Sequence, residues 1–135
     1  SSDLAYKGLV GPLKLFYSQF EELEAFTRFG TQMDETTRQR IERGRAIRLV
    51  LEQRQYQTMS AVHQIAIFTA TVSGLLDGLD EAQNKKAQTI ICDAFDKSCA
   101  KAQASILNRE KLSDEHKQHM LDVFTKALQK ERILP

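Results

Sequence analysis

A chain of 135 residues, 41% hydrophobic and 27% charged, fits one domain with one core and excludes disorder apart from frayed ends. The formal net charge is only +1, which weighs against a freestanding nucleic-acid-binding domain with its usual basic excess. No apolar run approaches the roughly 18 residues of a membrane span, and no charged-then-apolar leader opens the sequence.

Two prolines, six glycines and long patterns of period 3.6 predict an all-α fold. The first helix carries its apolar stripe on Leu13, Phe16, Phe20, Leu23 and Thr27, with Glu21, Glu22 and Glu24 mostly off it. Pro12 opens this helix or kinks one begun near Leu4, and Gly30 stops it. Asp34 or Thr31 caps a second helix whose stripe is Thr37, Ile41, Gly44, Ile47 and Leu51. Glycine inside that helix costs about 1 kcal/mol against alanine, which suggests a close approach by another backbone. Ser60 caps a third helix, "AVHQIAIFTATV", which is apolar nearly all round and therefore expected to be the most buried. "SGLLDGLD" reads as a turn. A fourth helix is predicted from about Glu81 to Leu107, with Ile91, Phe95, Ser98, Ala102 and Ile106 facing inward. After Asn108 and Arg109, Ser113 caps a last helix with acidic residues Asp114 and Glu115 in its first turn. Its stripe is Met120, Phe124, Ala127 and Leu128.

The second helix, in "DETTRQRIERGRAIRLVLEQRQY", holds six arginines from Arg38 to Arg54 and no lysine. A phosphate-binding face would need several of them exposed together. Asp34, Glu35, Glu42 and Glu52 are interleaved, and Tyr56 alone is near for base stacking. Asp34 stands four residues before Arg38, the favourable order for a pair on one helix face. The spacing therefore reads as structural.

Catalytic and metal chemistry is sparse. There is no phosphate-binding glycine loop and no dinucleotide fingerprint. His116 and His119 are three apart and share a helix face, but with Cys92 and Cys99 they match no zinc pattern. Solvent-facing histidines are the plainer reading. His63, beside an apolar face, reads as a capping or core histidine rather than a base. Cys92 and Cys99 lie two helical turns apart, about 10 Å, too far for a disulfide. Three function classes stay open on these grounds: a helical interaction domain within an assembly, a nucleic-acid binder, and a freestanding enzyme lacking any visible constellation.

A longer run of words is more specific. "GPLKLFYSQFEELEAFTRFG", residues 11–30, resembles the start of the C-terminal helical domain of the α subunit of F1-type rotary ATP synthase. The family's L-[KR]-L and Q-[FY]-x-E-[LV]-x-A-F-x-x-F-G are met by Leu13, Lys14, Leu15, Gln19, Phe20, Glu22, Leu23, Ala25, Phe26, Phe29 and Gly30. Its D-x-x-T, R-G and L-x-Q-x-Q-Y are met by Asp34, Thr37, Arg43, Gly44, Leu51, Gln53, Gln55 and Tyr56. Gln64, Ile65 and Ala66, then Gly74, Leu76 and Asp77, meet a later Q-[IV]-A and G-x-L-D. Beyond Asp77 only the general layout fits. Thr58 stands where the family has proline, and Val62 with His63 where it has a glutamate pair. "TRQRIERGRAIR" looks closest to bacterial α subunits of the alternate-operon type.

The resemblance implies an all-α bundle of about five helices in a left-handed superhelix, residues 1–135 forming one domain of a longer subunit. A β-barrel and a nucleotide-binding domain would precede it. No catalytic residue, metal or cofactor is implied for this chain; Mg-ATP or ADP belongs to the intact subunit. Gln53 and Gln55 would lie by the adenine of the non-catalytic site, with capping of the second helix as the alternative. Gln32, Asp34 and Glu35 would form the turn that meets the rotor. The implied partners are β subunits, the central γ shaft and the rest of the α subunit, with neither nucleic acid nor direct membrane insertion. The implied place is the cytoplasmic face of the bacterial inner membrane, in an ATP synthase coupled to protons or sodium. An unrelated helical interaction domain is the alternative, and a nucleic-acid binder the next.

Overall fold

In a computed structural model of the protein, five helices account for most of the described residues, which are 34–54 and 59–135 with positions 11, 14, 15, 18, 21, 22, 24 and 25. They are α1 (Glu35–Arg54), α2 (Ala61–Ser73), α3 (Glu81–Ser98), α4 (Ala100–Leu107) and α5 (Asp114–Lys130). No strand occurs among the described residues. The eight described positions from 11 to 25 are helical and, apart from half-buried Glu24, exposed; all lie off the expected apolar stripe, although Leu15 is itself apolar. Its expected stripe, together with Gly30, Thr31, Gln32, Gln55, Tyr56 and Thr58, lies outside the described residues.

Helix starts follow local chemistry. The Ser60 hydroxyl accepts from the His63 N–H at 3.3 Å and the Ser113 hydroxyl from the His116 N–H at 3.1 Å. At α3 the cap is reciprocal: Asp80 Oδ1 accepts from the Gln83 N–H, and Gln83 Oε1 accepts from the Asp80 N–H. Such a box satisfies two of the donors that a helix start leaves open. Gly74 ends α2 in the left-handed region, φ +99°, with its N–H on the carbonyls of Ala70 and Thr71.

The apolar sequence of α2 is buried without interruption from Ile65 to Thr71, so it forms the centre of the bundle. On α1 the buried apolar residues are Ile41, Ala46, Ile47 and Val50. Gly44 is buried as well, so the predicted stripe holds at Ile41, Gly44 and Ile47, while at its end Val50 is buried and Leu51 only half-buried. α3 packs most extensively on α5. The two run antiparallel, since His119 early in α5 reaches the Ser98 carbonyl at the end of α3. Phe95 and Phe124 meet between them, ring centroids 6.3 Å apart.

The predicted long fourth helix is two. At Cys99, φ −122° and ψ 41° take one residue out of helical geometry and turn α4 away from α3. The side chain facing the core is Cys99, 1% exposed, and not Ser98, which is exposed. His119 Nε2 lies 3.0 Å from the Ser98 carbonyl, so a side chain serves the acceptor at the break. No glycine or proline marks the place.

Candidate functional site

The arginine helix is tied into the bundle through carboxylates. Arg43 reaches from the middle of α1 to the loop after α2. Its Nε donates to both Asp77 carboxylate oxygens, at 3.1 and 3.2 Å, and its Nη1 donates to the Val72 carbonyl at 3.1 Å. The same guanidinium lies against Gly74. Arginine therefore holds the C-terminal end of α2, where helical carbonyls carry partial negative charge. Burial pushes the Asp77 carboxyl above its ordinary range, against the pull of the Arg43 hydrogen bonds. The Arg43–Gly44 and Gly74–Leu76–Asp77 words, 34 residues apart from arginine to aspartate, meet here as one joint.

Toward the start of α1, Asp34 Oδ1 accepts from the Thr37 N–H at 2.7 Å. That backbone bond holds the Asp34 carboxyl below its ordinary range. The Arg38 guanidinium takes Glu35 on one side and Glu42 on the other, with Nε to Glu35 Oε2 at 3.0 Å and Nη1 to Glu42 Oε1 at 2.8 Å. The Glu35 carboxyl is lowered by these Arg38 hydrogen bonds. Both carboxylates of the turn are exposed and both already have local partners. Arg48 pairs with Glu24 at 3.3 Å. Of the five arginines from Arg38 to Arg48, carboxylates engage Arg38, Arg43 and Arg48, while Arg40 and Arg45 are exposed.

At the other end of α1, Gln53 turns inward. It is 9% exposed, and its Oε1 accepts from Gln88 Nε2 on α3. The same nitrogen donates to Asn84 Oδ1 at 2.7 Å, one turn earlier on α3. Asn84 and Gln88 are 0% and 5% exposed. The Gln53 and Asn84 amide nitrogens are buried with no hydrogen-bond partner. A buried polar group left unpaired costs about 1–3 kcal/mol. Sequence reasoning missed Asn84 and Gln88. The signal was present, since Gln88 and Asn84 continue the inward stripe of Ile91 and Phe95 one and two turns upstream of Ile91.

The histidines are used separately. His63 Nε2 lies 2.8 Å from Asp96 Oδ1, and the ring stands edge-on to Phe95. His116 Nδ1 lies 3.4 Å from the Ser105 hydroxyl, while His119 serves Ser98. Cys92 and Cys99 are free thiols, and burial, with Asp96 and Asp93 adding to it, pushes Cys92 up to about 11. Among the described residues no group of three or more His, Cys, Asp or Glu side chains is placed to hold a metal ion. No helix among them is long and apolar enough to cross a membrane. Of the site residues expected from sequence, Asp34, Glu35 and Gln53 are placed as above. Gln32 and Gln55 lie outside the described residues.

Comparison with known proteins gives this architecture relatives. Residues 4–127 match the family described as "ATP synthase alpha/beta chain, C terminal domain". "ATP synthase subunit alpha 2" of Syntrophus aciditrophicus is 39% identical over 124 residues, covering 92% of this sequence and 24% of that protein. "ATP synthase subunit alpha 1" of Dinoroseobacter shibae is 40% identical over the same shares of each protein. "ATP synthase subunit alpha 1" of Rhodopirellula baltica is 47% identical over 90 residues, 67% of this sequence and 18% of that protein. The chain spans about a quarter of the length of the first two relatives. With five helices in residues 35–130 and a match over nearly its whole length, the protein belongs to the family of C-terminal domains of ATP synthase alpha and beta subunits, and the relatives named above are alpha subunits.

Proposed function

We propose that this protein is the C-terminal helical domain of a bacterial ATP synthase α subunit and is itself non-catalytic. It would support the ring of alternating α and β subunits, pack on the nucleotide-binding part of its own subunit, and face the central γ shaft during proton- or sodium-coupled ATP synthesis and hydrolysis. The complex would sit peripherally on the cytoplasmic face of the inner membrane. Mg-ATP or ADP would bind the intact subunit, with Gln53 and Gln55 beside the adenine of a non-catalytic site. The observation that carries this reading is the family match over residues 4–127, joined to relatives named as alpha subunits.

The pairing within α1 supports the same assignment over nucleic-acid binding, because Arg38, Arg43 and Arg48 already meet carboxylates. The turn at Gln32, Asp34 and Glu35 is the proposed rotor-facing edge. Its exposed carboxylates have partners of their own, so contacts with a basic shaft would be weak and exchangeable. The test is cysteine substitution at Gln32 and Glu35 in the assembled complex, paired with cysteines along the shaft. Oxidation should link the two subunits and stop rotation until the bond is reduced. If neither position links while equivalent β-subunit positions do, this turn does not face the rotor.

A further inference from the structure

One side of the α3–α5 pair is an open groove of about 390 Å³. Its floor is Ile90 and Ala94 on α3 with Val123 and Ala127 on α5, all four half-buried. Alanine at two of the four places leaves a pit between the larger side chains. A pit walled by four side chains is the shape that receives one large apolar side chain of a packed helix. The rim is charged. Lys126 and Lys130 stand on the α5 wall, Asp93 and Lys97 on the α3 wall, and Glu131 follows at the end of α5. All five are exposed. Among the described residues none of the five is in an ion pair, whereas Arg38, Arg43 and Arg48 of α1 all meet carboxylates within the domain. Lys126 and Lys130 are four residues apart, one turn or about 6 Å of helix, and like charges at that spacing repel each other.

We infer that this groove docks an amphipathic helix of a partner subunit, which presents large apolar residues at three- and four-residue steps and two carboxylates four residues apart toward Lys126 and Lys130. The spacing of the lysines sets the spacing of the carboxylates, since both pairs lie along helices at one turn. Apolar contact in the pit supplies the attraction, as for other helices bound in grooves. The rim sets the choice of partner: a helix with lysines on that flank would bring like charges together, and one with carboxylates relieves the repulsion already present. Across the groove, Lys97 and Asp93 give the other flank one charge of each sign, which favours one direction of the bound helix over its reverse. The surface lies on α3 and α5, on other helices than Asp34, Glu35 and Gln53, so it depends on neither the rotor contact nor the adenine contact proposed above.

The test uses the full-length subunit and two synthetic peptides of about three heptads, long enough to hold a helix. Both carry leucine at the a and d positions and alanine or glutamine between, with glutamate at e and g in one and lysine there in the other. In anisotropy titrations at low salt the glutamate peptide should bind about tenfold tighter than the lysine peptide, and added salt should shrink the difference. Lys126→Glu with Lys130→Glu should reverse that order. Lys111→Glu, on the loop before α5, changes the net charge away from the groove and should leave the order intact. Ala94→Leu fills the pit and should weaken both peptides at least about threefold, with circular dichroism showing the helices kept. Equal binding of the two peptides by the parent, or an order that Lys126→Glu with Lys130→Glu leaves unchanged, overturns the inference. In the assembled complex, a benzophenone side chain at Ser98, which lines the groove, should link to a segment with apolar residues at helical spacing and carboxylates four apart. No link, a link to lipid, or a link to a segment without that pattern overturns it as well.

Discussion

Alanine at Gly74 tests whether the joint between α1 and α2 works as one unit. A β carbon there would stand 2.5 Å from Arg43 Nη2, 3.1 Å from its Cζ and 3.3 Å from Asp77 Oδ2. The first cost is in the backbone: an L residue in the left-handed region loses about 1–2 kcal/mol. The second is indirect. The guanidinium is the far end of a flexible side chain and can swing away, but it then leaves the Asp77 carboxylate and the Val72 carbonyl. Hydrogen bonds to charged groups are worth about 1.5–3 kcal/mol each when buried. Here the Arg43 and Asp77 side chains are 29% and 20% exposed, so water replaces part of the loss. A net of about 1–2 kcal/mol is reasonable for the displaced pair, giving about 2–4 kcal/mol in all. Urea unfolding followed by far-UV circular dichroism reads the total. The decisive comparison is the same substitution in an Arg43→Met background, where only the backbone cost should remain. A coupling of about 1–2 kcal/mol between the two sites is expected. If Gly74→Ala costs the same in both backgrounds, the guanidinium is not displaced and the joint is not a unit.

Other expectations concern single groups. Because the Cys92 thiol is raised to about 11 in the folded protein from an ordinary value of 9.0, its contribution to stability is complete below pH 9 and is lost as pH rises toward 11. Cys92→Ala should flatten that alkaline slope in thermal melts, and alkylation of the parent thiol at pH 8 should be slower than that of a free cysteine. Arg109 and Arg132 follow α4 and α5 at φ 60°, so Arg109→Gly and Arg132→Gly should each stabilise the protein by about 1 kcal/mol in urea titrations. Binding of a random DNA duplex at physiological salt should be weaker than roughly 100 μM, and a micromolar constant falling steeply with salt would reverse the reading of α1.

The elements that sequence reading placed well are those with a local cause. Ser60 and Ser113 cap because a short hydroxyl side chain before a periodic run has few better uses, and α2 is buried because its sequence offers no polar face. The break at Cys99 was not legible. Neither Ser98 nor Cys99 forbids a helix, and the bend is held by a distant histidine on α5. The inward turn of Gln53 was hidden for a similar reason. Glutamine belongs by default on a surface, and only a partner 35 residues away makes burial tolerable. Half of the Arg43–Asp77 joint could be read as two separate motif words. That they bond to each other follows from packing α1 against α2, which neither word contains.

Besides its apolar contacts, α1 has two polar fastenings to the helices it packs on. Arg43 is fastened to the loop after α2, and Gln53 to α3, with ten residues or about 15 Å of helix between the fastenings. One fastening alone would let the helix swivel on its apolar contacts, whereas two at that spacing resist both tilting and sliding. The stretch from Asp34 to Arg43, nine residues or about 13 Å of helix, leads up to the first fastening, with Ile41 buried in the core on the way. A sideways load on Asp34 or Glu35 bends this stretch or is carried as torque into the Arg43–Asp77 joint. Either way, the Gln53 end stays put for as long as both fastenings hold.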